Sequence, residues 1–321
     1  MKGIEEQIRA TSSQLLAAGD VQMVIGYGAG SDNTKTMPVF IKRAEDVGKL
    51  VFNPFCVSNL ANYLLQWNNF DGKIAIVVKG CDSRSIIRLL QDKQIEREKI
   101  IVLGVNCPGQ LKSGQAEAKM PVDAIVSEAT ADNSGFKLQT SGGLITFSLD
   151  EGLLEKCRQC ESSRPVISDH LFGEKGFEAD KADLQFNDVA ALEDAPLEEK
   201  SRYWDKYFER CLRCYACRNS CPACSCRECV FDMVEPDWVA KTVNLSDNTA
   251  FHLIRAFHVA GRCTDCGECE RVCPAEIPLR VLNRKIIKDI KELFGAPMPG
   301  SDLEALPALS FYSLDDPESQ N

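Results

Sequence analysis

The sequence has little that would anchor it in a membrane, export it or hold it to nucleic acid. No apolar run approaches the ~20 residues of a membrane span. Its start, "MKGIEEQIRA", carries no apolar leader core, so the expected localisation is cytoplasmic. Positive charge is in deficit: 37 Lys and Arg against 47 Asp and Glu give a net charge of −10. A phosphate backbone needs a basic face, so no nucleic-acid partner is expected. A dinucleotide fingerprint is also missing. The loop "GYGAGSDN" (26–33) follows a strand-like run but opens no helix, and it reads as a flexible loop.

What is abundant is cysteine, with 16 in 321 residues. In a reducing compartment such numbers bind metal rather than form disulfides. The length suits two domains, and 44% hydrophobic with 26% charged residues is ordinary for a globular chain.

Residues 1–173 read as an α/β domain with a mainly parallel sheet. An amphipathic helix over 1–18 precedes strand-like runs "VQMVIGY", "MPVFIK" and "LVFNP", and "SNLANYLLQW" is helical in character with Ser58 as its cap. The unbroken apolar runs "KIAIVVKG" (73–80) and "KIIVLGVN" (99–106) are strands buried on both faces. Between them "SRSIIRLLQDK" has helical spacing, which makes a βαβ unit. "AIVSEA" and "LITFSL" are expected to extend the sheet. Residues 174–200 are acidic and aperiodic, a linker or arm. Residues 201–295 hold most of the cysteines, and 296–321 form an acidic, Pro-containing tail.

Cys211, Cys214, Cys217 and Cys221 read C-x2-C-x2-C-x3-C with Pro222 behind them, and Cys263, Cys266, Cys269 and Cys273 repeat the pattern before Pro274. Two such runs are the bacterial dicluster ferredoxin signature, so this domain is expected to be α+β and ferredoxin-like. Three cysteines of a run bracket one cubane, and the fourth reaches the other. Cys211, Cys214, Cys217 and Cys273 then hold one [4Fe–4S] cluster, and Cys263, Cys266, Cys269 and Cys221 the second. Two zinc sites would need neither the evenly spaced third cysteine nor the Pro-capped fourth. About forty residues separate the runs, more than in a minimal ferredoxin. They include "DNTAFHLIRAFHVAGR", which reads as a helix packing Phe251, Ile254 and Phe257, with His252 and His258 incidental. The helix "PLRVLNRKIIKDIKELFG" follows, with Pro278 in its first turn, Gly295 at its end and an apolar stripe of Leu282, Ile286, Ile290 and Leu293. Tyr203, Trp204, Tyr207 and Phe208, ahead of the first run, read as core or interface.

A third cluster is expected in the first domain. Cys81 and Cys107 each lie eight residues after the lysine that opens their strand, Lys73 and Lys99. Parallel pairing brings both thiols to one carboxyl edge, with strands ~4.8 Å apart. Cys157 and Cys160, in "KCRQC", complete four ligands, with Cys56 as a substitute. The helix opening after Cys81 offers free N–H groups, and Lys79, Gly80, Asp82, Ser83 and Arg84 form a candidate FAD diphosphate site. Cys56, Cys224, Cys226 and Cys229 remain, numerically enough for a fourth cluster or a zinc; otherwise the last three shield the neighbouring cubane.

"KGCDSRSIIRLL", "IIVLGVNCPG", "KCRQCE" and "CLRCYACRNSCPACSCREC" together resemble the beta subunits of coenzyme F-420-reducing hydrogenases and formate dehydrogenases, closest to the formate dehydrogenase type. The resemblance spans most of residues 20–280. It implies FAD, iron–sulfur clusters and electron passage between the deazaflavin or another carrier and a catalytic subunit. The Gly-Gly-containing helix of flavin-using members is not found here. The chain is also similar to components of heterodisulfide-reductase-like complexes. The expected function is an electron-transfer subunit with no acid, base or nucleophile of its own. Its partners are a flavoprotein, dehydrogenase, hydrogenase or heterodisulfide-reductase-like subunit. The alternative is an FAD-containing subunit that oxidises reduced deazaflavin or NAD(P)H.

Overall fold

The computed structural model describes residues 2–32, 34–67, 69–132, 134–174, 186–305 and 308–309. The flexible-loop reading of 26–33 loses Asn33 to the undescribed positions. Parts of the arm (175–185) and of the tail (306–307 and 310–321) also lie outside the described residues. The chain divides into two compact units, Met1–Ile86 with Lys93–Ala182, and Ile87–Asp92 with Asp183–Asn321.

The first unit opens with helix α1 (Lys2–Ala18) and strands β1 (Met23–Ala29) and β2 (Thr36–Ile41). Strand β3 (Ile74–Val78), helix α2 (Gly80–Gln91) and strand β4 (Ile100–Val105) form the βαβ unit. All five residues of β3 are buried, which is why its sequence shows no polar alternation. Helix α3 (Ser113–Lys119) leads to β5 (Val126–Asp132), β6 (Gly135–Thr140) and β7 (Gly143–Phe147). Short helices α4 (Leu149–Gly152) and α5 (Glu155–Arg158) precede β8 (His170–Phe172). The main sheet runs β2-β1-β3-β4-β8, with β2 antiparallel to β1 and every other pairing parallel.

Three expectations change. β5, β6 and β7 do not extend the main sheet; they form an antiparallel sheet of their own. Their exposed alternate residues mark a sheet covered on one face only, around Phe136, Leu138 and Phe147. "LVFNP" (50–54) forms no strand; Val51 donates to the Tyr27 carbonyl, and the Glu5 carboxylate accepts from the Phe52 amide. Leu60–Trp67 winds as a 3-10 rather than an α-helix.

In the second unit the described residues hold helices and no strand: α6 (Asn187–Glu193), α7 (Leu197–Phe208), α8 (Ala216–Asn219), α9 (Leu245–His258), α10 (Glu268–Arg271) and α11 (Leu279–Phe294). The expected α+β ferredoxin-like layout therefore does not appear among them. The long insertion between the cysteine runs supplies α9. α6 and α7 also give helical structure to part of the stretch read as an arm. The core gathers Phe208, Phe231, Phe251, Ile277 and Leu279 with Cys211, Cys217 and Cys269. Of the four aromatics on α7, Phe208 is buried, and Trp204 stacks on it at 5.4 Å. No helix among the described residues is long and apolar enough to cross a membrane.

Candidate iron–sulfur sites

The two cysteine runs adopt the same backbone. In each C-x2-C-x2-C loop the residue before the second cysteine and the residue after it are left-handed: Arg213 (φ 52°) and Tyr215 (φ 59°) in the first, Asp265 (φ 56°) and Gly267 (φ 75°) in the second. A four-residue helix follows each time, α8 and α10. Successive left-handed turns aim backbone N–H groups into one concavity, the arrangement that holds anionic and iron–sulfur groups. The Arg213 amide donates to the Cys211 sulfur at 3.4 Å, and the Asp265 amide does the same for Cys263. Left-handed backbone at residues other than glycine is costly and collects at functional sites; here it recurs at matched positions.

Proximity groups the thiols across the runs. Burial raises the pKa of Cys217 to about 11, and Cys211, Cys273 and Cys214 lie near enough to raise it further. Burial likewise raises Cys211, with Cys273 and Cys214 adding to it. Cys263 and Cys269 are pushed well up by burial, and both also feel Cys221 and Cys266. Thus Cys273 keeps company with the first run and Cys221 with the second. Cys221 is held at about 6 by the thiol of Cys224, which donates a hydrogen bond to it.

Helix α9 lies against both groups, on an unexpected face. Asn244 caps it, accepting from the Asp247 amide at 2.9 Å. Phe257 is 67% exposed, and the buried stripe is Asn248, Phe251, His252, Arg255 and Ala256. Asn248 donates to the carbonyls of Phe208 (2.9 Å) and Cys211 (3.1 Å). Arg255, 2% exposed, donates to the Cys217 carbonyl at 3.0 Å. Burial works against its charge, but Cys269, Cys221, Cys217 and Cys224 outweigh it, and its pKa is raised. One guanidinium therefore serves thiols of both groups. His252, stacked 4.7 Å from Phe208, is driven to about 3 by burial and is neutral. The stripe carries polar residues at 248, 252 and 255, which apolar spacing alone does not mark.

A buried ion network fastens the second run. Asp265 binds Arg280 at 2.7 and 2.8 Å and Arg284 at 2.6 Å, and Arg284 also meets Asp188 at 2.9 Å. The inward face of α11 is Leu279, Arg280, Asn283, Arg284, Ile287 and Ile290; of the expected stripe, Ile290 is buried and Leu282 packs against the core, but Leu293 is 75% exposed. Pro278 and Gly295 do bound the helix. Asn283 donates to the Cys269 sulfur at 3.5 Å.

In the first unit β3 and β4 pair in register, Ile74 with Ile100 through Val78 with Gly104. The same offset of 26 residues matches Cys81 to Cys107 just beyond the strand ends. Burial raises the pKa of both thiols, to about 12 for Cys107. Cys160 lies close enough to raise each, and Cys157 also raises Cys107. The four cysteines thus meet at the carboxyl edge of the sheet. The chain after Cys160 crosses this edge: a Cβ on Gly80 would stand 1.7 Å from the Ser162 carbonyl, and the Cys107 amide donates to Ser163 at 2.9 Å. Lys79 and Lys156 lie near Cys81 as cations.

The candidate FAD residues have other partners. Lys79 is 1% exposed; its ammonium meets Asp82 at 2.8 Å, the Ser58 carbonyl at 2.8 Å and the Tyr27 hydroxyl. Ser83 donates to the Gly80 carbonyl and accepts from the Val166 amide. Arg84 is buried, and Gly80 lies under Ser162. This end of α2 is closed by protein, so these five residues do not fit a diphosphate. Cys56 sits in a turn of the first unit, accepting from the Asn53 amide at 3.3 Å and donating to the Val51 carbonyl; burial takes it to about 12. Cys224, Cys226 and Cys229 line a cavity in the second unit.

Among the described residues no three His, Cys, Asp or Glu side chains converge on a single-ion position. That holds for the two ferredoxin runs as well. A cubane spreads its four thiolates over four irons, so its ligands stand wider apart than those of one ion. Thiols, N–H···S bonds and a buried cation fit such groups. Bound clusters store and pass single electrons, at potentials set by the surrounding charge and hydrogen bonds. Removing the Arg255 cation tests this. A unit charge ~7 Å away at an effective dielectric of ~20 shifts a one-electron step by about 2 kcal/mol, or ~100 mV. Arg255→Gln is expected to lower both cluster potentials by up to this amount and Arg255→Lys to restore most of it. The check is redox titration followed by EPR, and potentials unchanged in Arg255→Gln would refute the placement.

A fold with an α/β unit and a cysteine-rich helical unit of this geometry defines an iron–sulfur electron-transfer protein. Residues 207–277 match the 4Fe-4S dicluster domain family. Over 94% of its length the chain is similar to the beta subunit of the F420-dependent formate dehydrogenase of Methanocaldococcus jannaschii, 26% identical and covering 93% of it. It is 27% identical to the F420-dependent formate dehydrogenase 1 subunit beta of Methanococcus maripaludis, over 94% of this chain and 92% of that one. The similarity to these beta subunits runs over nearly the whole chain. Among solved structures it aligns with a chain of the F420-reducing [NiFe] hydrogenase complex of Methanosarcina barkeri, at 18% identity and TM-score 0.41, over 50% of this chain and 62% of that one.

Proposed function

We propose that this chain is an electron-relay subunit of a cytoplasmic redox complex. It takes electrons between a flavin-, dehydrogenase- or hydrogenase-type partner and another redox subunit. The relatives' names, subunits of F420-dependent formate dehydrogenases, support formate- or deazaflavin-linked partners. Two [4Fe–4S] clusters occupy the second unit, held by Cys211, Cys214, Cys217 and Cys273 and by Cys263, Cys266, Cys269 and Cys221. A third is held by Cys81, Cys107, Cys157 and Cys160. The observation that supports the reading is the buried Arg255, bonded to the Cys217 carbonyl and close to thiols of both groups; two redox centres held there would lie side by side. A pair that close exchanges electrons, and a structural role needs no pair. The chain's own residues supply no acid or base; they hold the clusters, exclude water and set their charge environment.

The test is anaerobic purification with iron, sulfide and flavin quantification and EPR titration. Reversible reduction with spin–spin broadening between two centres is expected. Cys81→Ser with Cys160→Ser is expected to lose about four irons and leave that coupled signal intact. Clusters that do not titrate reversibly would refute the relay. Bound FAD with diaphorase activity would move substrate oxidation onto this chain.

A further inference from the structure

The three cysteines of the second unit that lie outside the ferredoxin pattern share one cavity. It has a volume of about 320 Å³ and lies wholly within the second unit. Cys224, Cys226 and Cys229 line it, and His258, from the last turn of α9, completes a set of four ligating side chains. We infer that this cavity holds a further [4Fe–4S] cluster, bound by Cys224, Cys226, Cys229 and His258. The inference goes beyond the three-cluster reading and rests on the chain being an iron–sulfur protein.

Size argues for a cluster over an ion. One water occupies about 30 Å³ of liquid, so the cavity has room well beyond a single coordination sphere. Charge at Arg255 argues for anionic contents. Arg218 and Arg262 line the cavity too but already meet Asp232, also in the lining, and Asp92, at 2.8 and 2.7 Å. Arg255 is 2% exposed, and its Nε has no hydrogen-bond partner among the described residues. A buried N–H donor without a partner is costly and marks a missing acceptor, which a cluster sulfide or thiolate supplies. Iron–sulfur centres accept imidazole in place of thiolate, with a raised potential. A short C-x-C-x2-C segment offers three thiols, and the histidine comes from another element. Cys56, with its own partners in the first unit, is not required.

The full-length chain carrying Cys226→Ser and Cys229→Ser, purified anaerobically beside the parent, tests the site. Iron and acid-labile sulfide are expected to fall by about four each per chain. The coupled EPR signal of the ferredoxin pair should persist, which separates this result from a failure of the iron–sulfur reading. His258→Cys should keep the iron and lower the centre's potential. His258→Ala, at an exposed position, should alter or lose that centre's signal even if the double variant misfolds and loses all signals. Unchanged iron in the double variant, or an unaltered spectrum in His258→Ala, overturns the proposal. So does the loss of one zinc per chain in place of iron.

Discussion

Replacing Cys221 with serine is expected to empty the cluster of the second cysteine run, although Cys221 stands in the first. Its thiol lies near Cys263 and Cys269; burial makes those two weak acids, while Cys224 and Arg255 favour the Cys221 thiolate. Iron needs thiolates, so assembling a cluster there expels protons that burial holds on. A serine is poorly suited to take the place of a deprotonated ligand. About four irons per chain should be lost, and the spin-coupled signal should collapse to that of one isolated cluster. Cys273→Ser should be the mirror image, emptying the site of Cys211, Cys214 and Cys217. Relay between the two centres should stop in both. Iron analysis and EPR of the two variants beside Cys214→Ser, which removes a ligand of the first site, decide the matter. If Cys221→Ser lost the same signal as Cys214→Ser, each run would be holding its own cluster.

Asp82→Ala should cost the first unit about 3–5 kcal/mol, the usual penalty for leaving one member of a buried ion pair alone. Lys79 and Asp82 are 1% and 0% exposed and meet at 2.8 Å. Asp82 also accepts from the Lys79 amide at 3.1 Å and the Tyr27 hydroxyl at 3.3 Å, so it ties β1, β3 and the start of α2 together. Without it, the ammonium stays buried against the Tyr27 ring, 4.4 Å from its centre, with the Ser58 carbonyl and the tyrosine hydroxyl as acceptors. Hydrogen exchange at β3 amides should accelerate about 10²- to 10³-fold. Lys79→Met combined with Asp82→Leu should cost far less, because replacing both partners with apolar groups is often close to neutral. Equal losses in the single and the double variant would show that the pair is not the anchor. Since Cys81 lies between these residues in sequence, iron at the first-unit site should fall in Asp82→Ala as well.

Much of the design was legible beforehand. The doubled C-x2-C-x2-C-x3-C-P pattern names its chemistry, because few other uses of cysteine require that spacing. The two lysine-to-cysteine intervals were equally informative. Parallel strands that open in register must end in register, and β3 and β4 do. The antiparallel sheet of β5, β6 and β7 was not legible, since an apolar run does not say which sheet it joins. The inward faces of α9 and α11 follow their apolar stripes only in part, at Phe251 and Ile290. Around charged clusters the buried face is polar, and Asn248, Arg255, Asn283 and Arg284 occupy it.

The sequence by itself determined that this is an iron–sulfur protein, which cysteines form its two runs, and that Cys81 and Cys107 share a sheet edge. Ligand spacing and strand register are local properties, and local properties are written in order along the chain. Only the tertiary structure decided which residues surround the thiols. It seated Arg255 between the two groups, turned Lys79 and Ser83 away from solvent, and brought His258 to the cavity of Cys224, Cys226 and Cys229. Those juxtapositions join residues far apart in sequence, and the packing of a whole helix face fixes them.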